Sequence, residues 1–377
     1  MPWKEQTVSG AREELVRLVQ SGAISMSAAC RHFGISRACG HKWLARYRER
    51  GEAGLLDLSR RPAGSPRKTE ISLEERVLGL RKDHPRWGGR KLHRVLMDEG
   101  VERPPAPSTI TGILRRHDKL CPEESLQHGA VQRFEREHPN ELWQMDFKGH
   151  VPCPGGRCHP LTVLDDASRY SLVLDACANE TGLTVQGCLT RAFERYGLPW
   201  QMLMDNGSPW GNGREHPYTP LGVWLLRLGI KVSHGRAYHP QTQGKEERFH
   251  RTLKAELLGN SVTWDLQECQ RRFDDWRKVY NWKRPHEALN MEVPGTRYTA
   301  STRPFPADLP PIEYAPGDHV RKVQDRGFLS FRGKEYRVPK AFNGYPVALR
   351  PDPEKDAAFK VYFCQQHVAT IDLKEEN

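Results

Sequence analysis

Residues 141–177 read ELWQMDFKGHVPCPGGRCHPLTVLDDASRYSLVLDAC, and this stretch decides the fold of the middle of the chain. Apolar, β-branched and aromatic runs at ELWQMDF and along HPLTVLDDASRYSLVLDAC are separated by glycine, proline and acidic turn signals, which predicts strands. Downstream, TGLTVQGCLTRAFERYG and TPLGVWLLRLG have helical periodicity, and WQMLMD is a further strand between them. The order is strand, strand, strand, helix, strand, helix, strand, helix, which predicts an α/β domain on a mixed sheet. Within the stretch, His150, Cys153, Cys158 and His159 are residue types that zinc accepts. The paired ligand spacing of a finger is missing, however, and the proline and glycines of GHVPCPGGRCHP fit a hairpin turn.

Outward from this core the composition changes. At 377 residues the chain is longer than one hydrophobic core usually serves, and 37% hydrophobic content still allows several cores. A net charge of +11 favours a polyanionic partner over a small neutral substrate. The absence of a long apolar run, and a start at MPWKEQTVSG without an apolar core, predict a soluble, cytoplasmic protein with no membrane partner. The nine cysteines contain no CxxC pair, so they are expected to be reduced and packed as small hydrophobes.

The first sixty or so residues read as short helices. Leu15, Leu18 and Val19 mark one apolar face, and SMSAACRHFGISRACGHKWLARYRERG gives a helix, a break at Gly34 and a second helix with Ile35, Trp43, Leu44 and Tyr47. This is helix-turn-helix spacing. Ten Lys or Arg against three acids between Arg31 and Lys68 tip it towards DNA, with Arg37, Lys42 and Arg46 on the second helix and Arg60 and Arg61 in the basic linker SRRPAGSPRK as contacts. Three more helical segments follow: ISLEERVLGLRKDHP, WGGRKLHRVLMDEG and STITGILRRHDKL. Ser108 is the expected N-cap of the last, and Arg115 and Arg116 lie towards its end. At the other end of the chain, GFLSFRGKEYRVP, YPVALRP and FKVYFCQQHVATIDL alternate with period two and predict a small all-β module, joined through the Pro-rich linker STRPFPADLPPIEYAPG.

Chemistry is expected at carboxylates. Asp146 sits near the end of the WQMDF strand and Asp205 just after MLM, where sheet-edge crevices of open α/β folds form. Two such acids can share a divalent cation, and a pair of ions ~4 Å apart would activate an attacking oxygen and stabilise a leaving one. A third acid comes from HPQTQGKEERFHRTLK, His239 to Lys254, which offers Glu246 and Glu247 in the first turn of a helix. At 100° per residue Glu246 lines up with Phe249, Leu253 and Leu257, the stripe that faces the sheet, whereas Glu247 points with His250, Arg251 and Lys254 to the polar flank. On that argument Glu247 is the ligand and Glu246 a solvated residue at the edge of the stripe. Asp165 and Asp166, followed by Ala167, Ser168 and Arg169, fit a strand-end turn and a supporting role. Trp210 could stack on a base, but packing is the commoner use of such an aromatic.

Taken in order, WQMDF, LTVLDDASRY, DNGSP, HPQTQGKEERFHRTLK and YNWKRPHEALN resemble the DDE transposases of bacterial insertion sequences, relatives of retroviral integrases. The resemblance extends to the basic helical N-terminus with GLLDLSRRP. It implies an RNase H-like integrase catalytic core at 126–305, a helix-turn-helix domain at 1–62, a second helical DNA-binding module at 63–125 and a small β-barrel-like module at 306–377. It also implies Asp146, Asp205 and one glutamate as ligands of Mg²⁺, or Mn²⁺, with two ions per active site. The implied partners are the duplex DNA of the element's terminal repeats and of the target, met by a homo-oligomer in the bacterial nucleoid, and the implied reaction is strand cleavage followed by strand transfer. His239, Gln241, Lys245, Arg251 and Lys254 are further DNA contacts on this reading. The register of the resemblance again selects Glu247, three residues after Gly244 and followed by Arg248 and Phe249. The 42 positions from Asp205 to Glu247 exceed the usual spacing, and PWGNGREHPYTP accounts for the excess as an inserted loop. The competing reading is a DNA-binding regulator with an inactive integrase-like domain, opposed by the presence of all three acids; an RNase H-type nuclease is opposed by the tandem duplex-reading modules.

Overall fold

The computed structural model describes residues 7–58, 68–120, 135–211, 213, 217–235, 244–259 and 264–374. The chain divides into two compact units, 1–68 and 69–377.

In the first unit three helices start on hydroxyl caps. Thr7 accepts from Gly10 at the head of α1 (Val8–Gln20), Ser25 from Ala28 at α2 (Met26–His32), and Ser36 from Cys39 at α3 (Arg37–Arg50). The expected break at Gly34 is a left-handed residue, φ +62°. Leu15, Val16, Ala29, Trp43, Leu44 and Leu55 close the core. Helices α2 and α3 approach so closely that a Cβ on Gly40 would meet Cys30 Sγ at 2.6 Å and Met26 Sδ at 2.8 Å.

The second unit begins with α4 (Ile71–Asp83), α5 (Gly89–Asp98) and α6 (Pro107–Arg116), closed over Val77, Leu80, Trp87, Leu92, Leu96, Ile110, Ile113 and Leu114. Ser108 is not the cap of α6. The helix starts two residues earlier than a cap at Ser108 would place it, on Pro107, whose fixed φ suits the first helical position, and Ala106 takes the cap position without a side-chain bond.

The central sheet contains β1 (Trp143–Phe147), β2 (Val151–Cys153), β3 (Gly156–Asp165), β4 (Ser171–Cys177), β5 (Gln201–Met204) and β6 (Lys231–His234). β4, β3 and β1 pair antiparallel, then β1, β5 and β6 pair parallel; β2 forms a hairpin with the start of β3, one strand more than the sequence pattern predicts. Period-two alternation divides the side chains between two cores. Leu161 and Val163 pack with α7 (Gly182–Tyr196) and α8 (Pro220–Arg227), while Cys158, Leu164 and Leu174 pack with α9 (Gly244–Leu253) and α10 (Leu266–Trp282). A sheet of this order between two helical layers is the RNase H-like arrangement.

The C-terminal module is all β. One sheet holds β7 (His319–Lys322), β10 (Pro346–Pro351), β11 (Ala358–Phe363) and β12 (Gln366–Asp372), and β8 (Phe328–Phe331) pairs with β9 (Lys334–Arg337). Gln366 covers the open edge of β6, accepting from the Val232 amide at 3.1 Å and donating to its carbonyl at 2.8 Å. The segment expected as a Pro-rich linker is instead a packed strap. Arg303 donates to the carbonyls of Pro199, Leu228 and Gly229 and lies 4.3 Å over the Trp200 ring, because a guanidinium fork can satisfy several loop-end carbonyls at once. Among the described residues, no helix is long and apolar enough to cross a membrane.

Candidate active site

Parallel pairing of β1 with β5 sets the site. Trp143 pairs with Met202 and Gln144 with Leu203, so two residues further on Asp146 comes level with Asp205 at the carboxyl ends of adjacent strands, which lie ~4.8 Å apart. Burial, and next the charge of Asp205, push the Asp146 carboxyl up to about 7. Asp205 is also raised by burial, against the opposing pull of the Gly207 amide, which donates to its Oδ1 at 3.0 Å. His234 turns its Nδ1 to the Asp205 carbonyl at 2.7 Å and braces the strand end.

The glutamates of α9 separate sharply. Glu246 lines up with Phe249 and Leu253 on the buried face, as the helical wheel predicts, but it is not solvated: its exposure is 1%. Thr162 on β3 donates to Glu246 Oε2 at 3.0 Å, while Glu246 Oε1 is buried with no hydrogen-bond partner among the described residues. Burial, then the charge of Asp146, raise this carboxyl well above the ordinary range. His250 also belongs to this buried group and not to the polar flank. One helical turn from Glu246, its Nε2 lies 2.8 Å from Thr162 Oγ1 and its Nδ1 3.9 Å from Asp146 Oδ2. Burial pushes the imidazole down to about 3, so it is neutral at physiological pH. Thr162, Glu246 and His250 thus form a polar knot directly behind Asp146, which pairs with Thr162 in the β1–β3 ladder.

Glu247 stands exposed in the first turn of α9. Its oxygens do not form a group with those of Asp146 and Asp205 in which every atom lies within 4.8 Å of every other. Asp165 and Asp166 hold the turn after β3. Asp165 accepts from the Asn140 amide at 2.7 Å and from Ser168 amide and hydroxyl at 2.8 and 2.6 Å. Asp166 accepts from the Arg136 amide at 2.8 Å and Gln144 Nε2 at 2.6 Å, and binds Lys245 Nζ at 2.5 Å, which ties the start of α9 to the sheet.

The remaining described sequence candidates lie on α3, on α6 and on α9 with the turn that follows it. Arg37 and Lys42 are exposed on α3, whereas Arg46 donates to the Leu56 carbonyl at 2.7 Å and lies 4.6 Å from the Trp43 ring. Arg115 and Arg116 are exposed in the last turn of α6, with Arg116 3.0 Å from Glu74. Arg251 and Lys254 are exposed, and a π-helical turn, Lys254–Leu258, begins at that lysine. Arg60, Arg61, His239 and Gln241 lie outside the described residues. Trp210 is packed, 2% exposed and stacked on Phe147. Sequence reading missed Thr162. Its only signal was a polar residue at a strand position flanked by the buried Leu161 and Val163, facing the opposite side of the sheet from them.

Comparison with known proteins gives a consistent set of matches. Two models described as integrase core domain match residues 136–240 and 228–294, and the C-terminal domain of the IS481 family transposases matches 318–377. A helix-turn-helix domain matches 11–63 and a homeodomain-like domain 39–114. An uncharacterized 31.7 kDa protein of insertion element IS407 from Burkholderia multivorans is 26% identical over 277 residues, covering 72% of this chain and 89% of its own length. An uncharacterized 39.2 kDa protein of insertion element IS476 from Xanthomonas euvesicatoria is 25% identical over 303 residues, covering 78% and 77%. The catalytic core domain of HTLV-2 integrase in complex with magnesium is 16% identical and covers 43% of this chain and 99% of that one, with a TM-score of 0.33, too low to carry weight.

Proposed function

We propose that this chain, which belongs to the DDE transposase and integrase superfamily, binds the ends of its own insertion sequence and catalyses metal-dependent strand cleavage followed by strand transfer. The observation that carries this reading is Asp146 level with Asp205 at adjacent parallel strand ends, with the glutamate-bearing turn of α9 packed over the same edge through Thr162.

The donor set fits a hard divalent cation. Burial resists ionisation of both aspartates, and at Asp146 the charge of Asp205 adds to it; a bound cation reverses that balance. Asp146, Asp205 and Glu247 would hold Mg²⁺, or Mn²⁺, as two ions per site; when bound, the pair lowers the barrier by activating the attacking oxygen and stabilising the leaving one. Glu247 is favoured as the third ligand because it is exposed to approaching DNA, whereas Glu246 is enclosed by Thr162 and His250. Neutral His250 adds no charge beside Asp146 and helps fix the strand end through Thr162. Lys254, exposed at the π-helical turn, is placed to meet a phosphate.

On the same reading, Arg37 and Lys42 on α3 contact the terminal repeat, and the α4–α6 block, within the expected module 63–125, lengthens the footprint. The protein then acts as a homo-oligomer on DNA in the bacterial cytoplasm. The test uses duplexes carrying the element's ends. Asp146→Asn and Asp205→Asn are each expected to abolish cleavage in Mg²⁺ while binding the ends as the parent does, since an amide keeps the size but loses the ligand charge. Substantial cleavage by either purified variant would sink the proposal.

A further inference from the structure

On the second core, away from the carboxylates, three thiols converge where the β2–β3 hairpin meets α10. In the hairpin Cys153 pairs with Gly156 and Val151 with Cys158, so the two cysteines share a face. Cys269, in the first turns of α10, meets them there. The three sulfurs all lie within 4.8 Å of one another, and Cys153 Sγ is 3.8 Å from Cys269 Sγ. All three are free thiols; Cys158 and Cys269 are fully buried and Cys153 is half-buried. The histidines that flank the hairpin cysteines in sequence do not join them. His159 turns instead to Glu180, with Nδ1 2.7 Å from Oε1, and His150 lies beside His159.

We propose that Cys153, Cys158 and Cys269 form a binding site for a thiophilic divalent cation of the zinc class, with the fourth coordination position open to water on the Cys153 side. Tetrahedral zinc with bonds of about 2.3 Å holds its sulfurs about 3.8 Å apart, the separation already present between Cys153 and Cys269. From β2, β3 and α10 the three sulfurs converge on one point, close enough together to share a single ion. Burial raises the metal-free Cys269 thiol to about 11 and the Cys158 thiol further. Loading therefore forms three metal–sulfur bonds, breaks three S–H bonds and releases three protons to solvent, without any change of oxidation state. The product staples the hairpin to α10 and so fixes β3, whose far half carries Thr162 behind Asp146.

The experiment uses the full chain, stripped of metal and kept in a non-thiol reductant, titrated with Co²⁺ and followed by absorption. Thiolate-to-cobalt charge transfer in the near ultraviolet arises only from sulfur ligands, so the carboxylates do not contribute to it, and the accompanying visible bands report tetrahedral geometry. The expected result is saturation at one equivalent, displacement by Zn²⁺, loss of the bands in Cys153→Ser, and retention in Asp146→Asn and in Cys39→Ser. Absence of the charge-transfer band in the parent, or its full persistence in Cys153→Ser, would overturn the site. X-ray absorption on the zinc-loaded parent needs no variant: a shell of three sulfurs and one light atom supports the assignment, and a shell of light atoms alone refutes it.

Discussion

Glu246 and Glu247 are adjacent in sequence and opposite in environment, one enclosed against Thr162 and the other exposed. A paired substitution, Glu246→Gln and Glu247→Gln, assayed for strand transfer on a pre-cleaved end, is expected to leave activity in the first and none in the second. Burial raises the Glu246 carboxyl well above the ordinary range and so disfavours its charged form, and an uncharged amide of the same size there should move the melting temperature little. The opposite pattern of activity would transfer the ligand role to Glu246. Asp146 makes a second residue-scale prediction. Its folded value of about 7 lies above the ordinary 3.8, so between these limits the folded protein holds a proton that the unfolded chain has lost. Stability from this group is full below the ordinary value and falls as pH rises towards 7. Measured by thermal melting in a chelator, the parent should lose ground to Asp146→Asn from about pH 4 to about pH 7, with no further change above it. A constant difference across that range would disprove the assigned burial effect.

At the level of elements, the packed strap after the core is the least expected feature. Arg303 serves three backbone carbonyls, and Leu198 and Ser301 add backbone pairing with the strap and with Tyr196. Removing the guanidinium leaves several acceptors without partners, a loss of about 2–4 kcal/mol on the usual cost of such groups. Arg303→Ala should therefore lower the denaturant midpoint of the second unit, and Arg303→Lys should recover only part of it, since an ammonium lacks the planar fork. A midpoint unchanged in Arg303→Ala would mean that the strap is held by apolar contacts such as Phe305 instead.

For the molecule as a whole, the division falls after residue 68, and α4–α6 share the compact unit of the sheet. Val279 of α10 packs against the core of those three helices. Truncation before residue 69 should thus leave a cooperatively folding protein with sharply weaker binding to element ends. A deletion through 125 would in addition strip apolar cover from α10. Binding by the full chain, with its net charge of +11, should fall steeply with salt as phosphate contacts release counterions, and the slope should shrink in the truncated protein. Equal affinity of the two proteins in gel-shift titrations would contradict the placement of DNA recognition in the first unit.

The sequence by itself determined what depends on local spacing. Apolar, β-branched and aromatic runs along residues 141–177 marked the strands, apolar spacing and the break at Gly34 marked the first helices, and the wheel turned Glu246 towards Phe249 and Leu253. Asp146 and Asp205 were legible because acids at the ends of apolar strands stand out from their neighbours. What only the tertiary structure decided is which distant groups meet. Thr162 and His250 close around Glu246 from β3 and α9, Arg303 reaches three loop ends, and Cys269 arrives 116 positions from Cys153. A solvated carboxylate and a buried one have the same letter in the sequence. Their difference is desolvation, set by the opposing strand face, and no local periodicity carries it.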